Sequence, residues 1–377
     1  MRFKEFEEEW EECFLSDILE FKNGLNPKAN KFGKGTKFIS VMDILNNIFI
    51  TYDCIKATVE ATEEEKLNFS VEKGDILFQR SSETLDDVGR ANVYMDERPA
   101  IFGGFVIRGK KKGEYNPLFF RYLLSSPCSR RKIIPMGAGA QHFNIGQEGL
   151  SKVKLNFASL SEQGKIGKFL SLIDERIATQ NKIIEELKKL KVCVRRLIFR
   201  TLNCSWFLLS ELEASGDICL KRGNIIPKHE HTDIFCYPVY SSSVQNGGLM
   251  GYNNTYMFNT ELVTWSIDGG GNFFYRHKHK FNVTNVSGYM QLNEAKYNYR
   301  FVSEILLWQH SFMVFDYQTK AHPSVIRSIY KLPDVSLAEQ ELIANIFRLL
   351  DVKLQNEMTI LKQYQQQKQY LLCQMFI

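Results

Sequence analysis

Several signatures that would assign a class directly are missing. The eight cysteines contain no Cys-x-x-Cys pair, which argues against a thiolate zinc site and for free thiols in a reducing cytoplasm. No signal-peptide pattern and no run of 18 apolar residues occurs, so a cytoplasmic chain with no membrane partner is expected. No Gly-x-x-x-x-Gly-Lys-[Ser/Thr] loop is present, so any ATP-driven work belongs to another chain.

Catalytic constellations are missing too. Asn116-Pro117-Leu118-Phe119 brushes against the Asn-Pro-Pro-Tyr pattern of amino-methyltransferases but lacks its second proline and carries Phe119 in place of its tyrosine. A helix N-cap followed by proline at the first helical position explains it better. Glu186-Leu187-Lys188 has the letters of a nuclease's acidic-x-Lys but falls within a long helical pattern, and Asp86 and Asp87 are loop acids without a partner lysine. His229 with His231, and His277 with His279, form two His-x-His pairs with no third ligand at convincing spacing. The chain reads as one that binds and does not catalyse, with no cofactor of its own.

What is present is a repeat. Ser159-Leu160-Ser161-Glu162-Gln163 opens a proline-free helical pattern with apolar residues at Ile166, Leu170, Ile173, Ile177, Ile184, Leu187, Val194 and Ile198. These steps of four and three define a heptad seam, interrupted by Gln180 and Lys191. A shift of 177 positions repeats the pattern. Ser336-Leu337-Ala338-Glu339-Gln340 is followed by Ile343, Phe347, Leu350, Leu354, Leu361, Tyr364, Leu371 and Met375, with Glu357 and Lys368 at the interruptions. Two such helices bury their seams most economically against each other, as an antiparallel coiled coil; roughly 38 residues make a rod of about 57 Å.

The 377 residues then divide into a first globular domain (1–157), a first long helix (158–202), a second domain (203–333) and a second long helix (334–377). Short strands with one or two helices predict α+β domains. Strands are expected at 38–41, 75–78 and 105–107, and helices after Pro117 and from about Tyr299 to Trp308. A basic, glycine-rich loop is expected over 28–37. Trp206, Leu212, Gly223 and Pro227 echo Trp10, Ile18, Gly24 and Pro27, so the repeat is expected to include the globular parts.

A formal charge of +5 permits a nucleic-acid partner without demanding one. Duplex DNA wants phosphate-facing basic or small-residue loops and base-facing side chains on rigid supports. In the first domain the candidates are Lys28, Lys31 and Lys34 for phosphates. Gln79, Arg80 and Ser81 follow a strand, Arg90 lies across the next loop, and Gln141, His142 and Asn144 extend from a small-residue loop. In the second domain they are Ser242, Gly270 and Asn272 in glycine-rich turns, the basic run Arg276, Lys278 and Lys280, and Arg327. The run 276–280 also reads as a solvated hairpin end.

These features together resemble the specificity (S) subunit of type I restriction–modification systems. The resemblance rests on the two Ser-Leu-x-Glu-Gln openings with their long helices, and on Gly74-Asp75-Ile76-Leu77-Phe78. It rests also on Gln141-His142-Phe143-Asn144, on Tyr237-Pro238-Val239-Tyr240-Ser241-Ser242 and on the glycines at 269–271. It implies two target recognition domains, each reading one half of a split double-stranded DNA sequence, with the coiled coil setting the unread spacer. It also implies docking of two modification subunits, which methylate adenine, and through them of ATP-dependent restriction subunits. The second domain's His322-Pro323-Ser324 departs from the first domain's Gln-His-Phe-Asn. Two other readings stand beside this one. A DNA nuclease or fused restriction–modification enzyme would cut DNA unaided, and a protein-binding scaffold would show no salt-sensitive DNA binding.

Overall fold

A computed structural model describes residues 2–226, 236–243, 245–268, 270–313, 315 and 320–376. The chain divides into two compact units, Met1–Lys182 with Thr359–Ile377, and Ile183–Met358. Each contains a mixed α+β domain and one half of each long helix. Among the described residues no helix is long and apolar enough to cross a membrane.

The first unit is built on a four-stranded antiparallel sheet in the order Leu19–Asn23, Val106–Lys111, Ile76–Gln79, Ala91–Val93. Ile76, Leu77 and Phe78 are fully buried, as a short apolar run covered on both faces requires. A second sheet places Thr58–Val59, Phe32–Ile39, Ala100–Phe102 and Ser70–Val71 side by side. The basic stretch expected as a loop thus ends in a strand from Phe32, and Lys34 and Lys37 stand on it. The helix Pro117–Ser125 starts where the Asn-Pro pair predicts. The Asn116 side chain accepts from the Phe119 amide, proline supplies the first position, and Phe119, Phe120, Tyr122 and Leu123 enter the core.

The second unit has a six-stranded sheet in the order Ile218–Arg222, Ser287–Leu292, Phe258–Ser266, Phe273–Val283, Tyr237–Tyr240, Leu249–Asn253. Its first four strands repeat the first unit's sheet in order and register. Val106 pairs with Gln79 as Ser287 pairs with Ser266. Ile107 pairs with Asn23 as Gly288 pairs with Arg222. Phe78 pairs with Ala91 as Trp265 pairs with Phe273. Asn298 caps Tyr299–His310 as Asn116 caps its helix. Ile18 and Gly24 match Leu212 and Gly223, but Trp206 takes the strand position of Glu12 and is not the partner of Trp10. Pro227 lies outside the described residues.

The long helices run over Leu160–Thr201 and Leu337–Met375. Every apolar position named on the two seams is buried or half-buried. In the first unit Ile166, Leu170 and Ile173 share a core with Leu371, Leu372, Met375 and Phe376. In the second, Val194, Ile198 and Phe199 share one with Ile343, Phe347 and Leu350. The start of each helix therefore meets the end of the other, and the pairing is antiparallel. The polar interruptions are accommodated within it: Gln180 and Glu357 are buried, Lys191 pairs with Asp351 and Lys368 with Asp174.

The repeated pentapeptide has a structural task. Gln163 accepts from the Asn116 amide at 2.8 Å and donates to the Ala158 carbonyl, and Gln340 accepts from the Asn298 amide at 3.0 Å and donates to Val335. Each glutamine fastens the start of a long helix to the start of the short helix beside it. The glutamates differ: Glu162 receives Arg2 and the Trp10 indole, whereas Glu339 caps its own helix through Ser336.

Candidate functional site

The sheet repeat brings the same loops to the same end of each sheet. In the first unit the Gln79 amide donates to the Arg90 carbonyl at 2.7 Å, and the Gly89 amide to Gln79 at 3.0 Å. In the second, the Ser266 amide donates to Asn272 at 3.0 Å, and Gly271 to Ser266 at 3.1 Å. Gly89 and Gly271 have φ of 67° and 78°, a left-handed conformation that side chains resist. Arg90 and Asn272, chosen separately in the sequence, thus occupy equivalent positions.

A second turn closes this end. The Arg80 amide donates to the Phe105 carbonyl at 2.9 Å, and the Ile267 amide to Val286 at 3.0 Å. The Ile145 and Ala321 amides return to Arg80 and Ile267 at 2.9 and 3.1 Å. Asn144 therefore corresponds to Lys320, and the counterparts of Gln141, His142 and Phe143 lie outside the described residues.

The sequence candidates separate into groups. Gln79, Arg80, Ser81, Arg90 and Asn144 meet at the sheet end. Gln79 is buried and donates to the Ser81 carbonyl, while the Ser81 hydroxyl bonds the Asn144 side chain, so these three frame the loop. Arg80 reaches the Gly104 carbonyl at 3.3 Å and has no acidic partner among the described residues. Gln141 and His142 are exposed just before Asn144. Lys28 is exposed beside the short turn Ala29–Lys31. Three other basic candidates of this unit have acidic neighbours: Lys31 has Glu65, Lys34 has Glu60 and Arg90 has Asp87.

In the second unit the Ser266 hydroxyl donates to the Ser242 carbonyl at 2.7 Å, placing Ser242 beside Asn272. Gly270 has φ 84° and, among the described residues, nothing within 4 Å of where a Cβ would stand, and Gly269 lies outside the described residues. Arg276, Lys278 and Lys280 stand within the long strand Phe273–Val283, not at a hairpin end. Arg276 is only 7 % exposed. Its guanidinium lies 3.6 Å from the Tyr240 ring centre and Nε donates to Thr264; burial among these groups lowers its pKa to about 10. Lys278 is exposed, and Lys280 sits over the Tyr237 and Tyr256 rings. Arg327 pairs with Glu213 at 3.0 Å, on the short helix Pro323–Ile329.

His277 and His279 stack on each other, and His279 on Phe281, with Nε2 at 3.1 Å from the Tyr240 hydroxyl. That is an aromatic column and not a ligand set. Among the described residues no three His, Cys, Asp or Glu side chains converge to hold a metal; His229 and His231 lie outside them.

The sequence reading missed the turns themselves. Phe105, expected inside a strand, is 67 % exposed at the tip of one of them. Arg222, at the end of a strand, bonds the Asn285 carbonyl of the other through Nε and Nη2. A Gly-Gly-Phe triplet before a buried apolar run was the available signal for the first; nothing in the sequence marked the second.

The model of the type I restriction modification DNA specificity domain matches residues 7–189 and 211–366. The chain belongs to that family. Its two matches correspond to the two halves of the repeat. Among curated relatives, the MjaX type I restriction enzyme specificity subunit of Methanocaldococcus jannaschii is 29% identical over 52% of this chain and 46% of its own length. A type I specificity subunit of Mycoplasma pneumoniae is 35% identical over 38% of this chain and 48% of its own. The chain thus spans about half the length of the curated relatives it matches. A crystallised type I restriction–modification S subunit from M. genitalium shares the fold, with a TM-score of 0.60 at 17% identity over 100% of this chain and 98% of that one. A chain from a study of complex assembly and conformational transition in the type I system gives 0.62 at 10% identity, covering 98% and 97%.

Proposed function

We propose that this chain is the DNA-reading, non-catalytic specificity subunit of a cytoplasmic type I restriction–modification complex. The observation that carries the reading is the duplication of one sheet end. Two domains with the same strand order present the same two turns, and most of the polar and basic candidates gather there or on the adjoining strand. Each domain reads one half of a split double-stranded target. The long helices, unbroken from one unit into the next, set the unread spacer and offer their outer faces to two modification subunits, through which restriction subunits join. Methyl transfer and ATP-driven cleavage then belong to those partners, and the chain holds no cofactor.

Methylation-site mapping in cells carrying this gene with its modification gene tests the proposal. The expected result is one adenine-methylated motif in two parts with a fixed gap. Exchanging residues 1–157 for those of another such subunit should change one part only. A contiguous motif, or no motif with both proteins well expressed, would overturn it.

A further inference from the structure

The two turns are built alike but carry their arginines differently. In both units the strand before the turn is entered by the same hydrogen bonds. Gly24 donates to Val106 at 3.2 Å as Gly223 donates to Ser287 at 3.0 Å, and Leu25 to Phe102 at 2.9 Å as Asn224 to Val283 at 3.0 Å. The turn closes through Val106 to Gly103 at 2.9 Å, and Ser287 to Thr284 at 3.0 Å. Gly104 and Asn285 are therefore the same position.

Both of their carbonyls take a guanidinium. Arg80 gives Nη1 to Gly104 at 3.3 Å, and Arg222 gives Nε and Nη2 to Asn285 at 3.0 and 2.7 Å. Yet Arg80 and Arg222 are not equivalent in the repeat. Arg80 matches Ile267, and Arg222 matches Asn23, on a different strand. The same charge reaches the same turn from two directions.

Neither arginine has an acidic partner among the described residues, unlike Arg90, Arg98 and Arg327. Each is held by one carbonyl and keeps a two-nitrogen edge: Nε with Nη2 on Arg80, and Nη1 with the second hydrogen of Nη2 on Arg222. A pinned guanidinium with one free fork suits bidentate contact to guanine O6 and N7, through a rigid planar two-donor edge that lysine lacks.

We infer that Arg222 is the second domain's base-reading arginine and the functional counterpart of Arg80, each contacting a guanine edge in its own half of the target. The assignment rests on the DNA-reading proposal above. The two are separable, because that proposal is judged on the wild-type motif and this one on variants.

The full chain in complex with its modification subunits would be assayed by competition between cognate duplex and duplexes altered at single base pairs. Arg222→Ala should reduce discrimination at one guanine of the second domain's half-site by roughly tenfold or more, leaving the other half unchanged. Arg222→Lys should restore it only in part, because the charge returns without the planar fork. Arg80→Ala should do the same in the opposite half, and Lys221→Ala, at the exposed neighbouring position, should change neither.

If Arg222→Ala loosens the turn enough to unfold the domain, Arg222→Gln decides, because it keeps a donor and removes the charged fork. Equal weakening on all sequences, recovered equally on all of them by lysine, would make Arg222 a phosphate contact and overturn the assignment. So would a wild-type split motif that the variants leave intact. A wild-type complex with no split motif would overturn the DNA-reading proposal and this assignment together.

Discussion

Lys191 of the first long helix pairs with Asp351 of the second at 2.6 Å, and the same ion pair recurs 177 positions on with the helices exchanged, as Lys368 with Asp174. Polar breaks in an apolar seam usually fix register at a cost in stability. Here each lysine break is answered by a carboxylate on the facing helix, so a slip of either helix strands a charge.

The Lys191 pair extends to Glu304, which is 3 % exposed and also receives Arg195 at 2.6 Å. Arg300 joins the same group through Asp351. Glu304→Ala leaves these cations partly buried without their shared acid. Breaking a buried pair in this way costs about 3–5 kcal/mol. The urea midpoint of the second unit's transition should fall accordingly. An unchanged midpoint would mean that the cations are hydrated in place.

Gln163 and Gln340 are nearly fully buried, and each makes hydrogen bonds in both directions. Substitution by alanine removes the partner of an amide and of one carbonyl at Gln163 and of an amide and two carbonyls at Gln340, at about 1–3 kcal/mol for each group left unsatisfied. Gln→Glu should also destabilise, since a carboxylate cannot donate to Ala158 or Val335. Thermal unfolding of the four single variants checks both statements.

How much of this was legible in the sequence depends on what kind of signal carried it. The seam was legible because a heptad is local and repeats: Ile166, Leu170, Phe347 and Met375 all fell where the spacing put them. The helix cap at Asn116 was legible because the Asn-Pro pair that makes it is local too. The candidate site was less so. Arg276 read as a DNA contact or a solvated cation at a hairpin end, because its neighbours in sequence are polar. Its neighbours in space are Tyr240 and Thr264, brought there by sheet pairing. Arg222 was invisible because its partner carbonyl lies 63 residues away.

Acid should weaken the second unit. His310 is half-buried against Phe273, Phe315 and the Tyr330 hydroxyl, and burial lowers its pKa. His279, held by Tyr240, His277 and Phe281 near Arg276, is lowered for the same first reason. A depressed folded-state pKa means that the unfolded chain binds the proton first. Stability is therefore present above the free imidazole value of about 6.5 and lost as pH falls through the folded values. The melting temperature should drop as pH falls below about 6.5, and His310→Gln should flatten part of that slope.

Leu170 and Phe347 occupy the same seam position, 177 residues apart, and both are fully buried, each in its own unit's core. Phe347 stacks on Phe199 with ring centres 6.0 Å apart. Leu170→Ala should cost about 2–5 kcal/mol and Phe347→Ala about 3–5 kcal/mol, through lost burial and the cavity left behind. The losses should be local as well as large. Because the seam is divided between two cores, Leu170→Ala should raise amide exchange in the sheet containing Ile76–Gln79 and spare that containing Phe258–Ser266. Phe347→Ala should do the reverse. Hydrogen exchange read by mass spectrometry on the full chain resolves the two sheets. Equal loosening of both by either substitution would mean that the seam unfolds as one cooperative unit, with the domains following it.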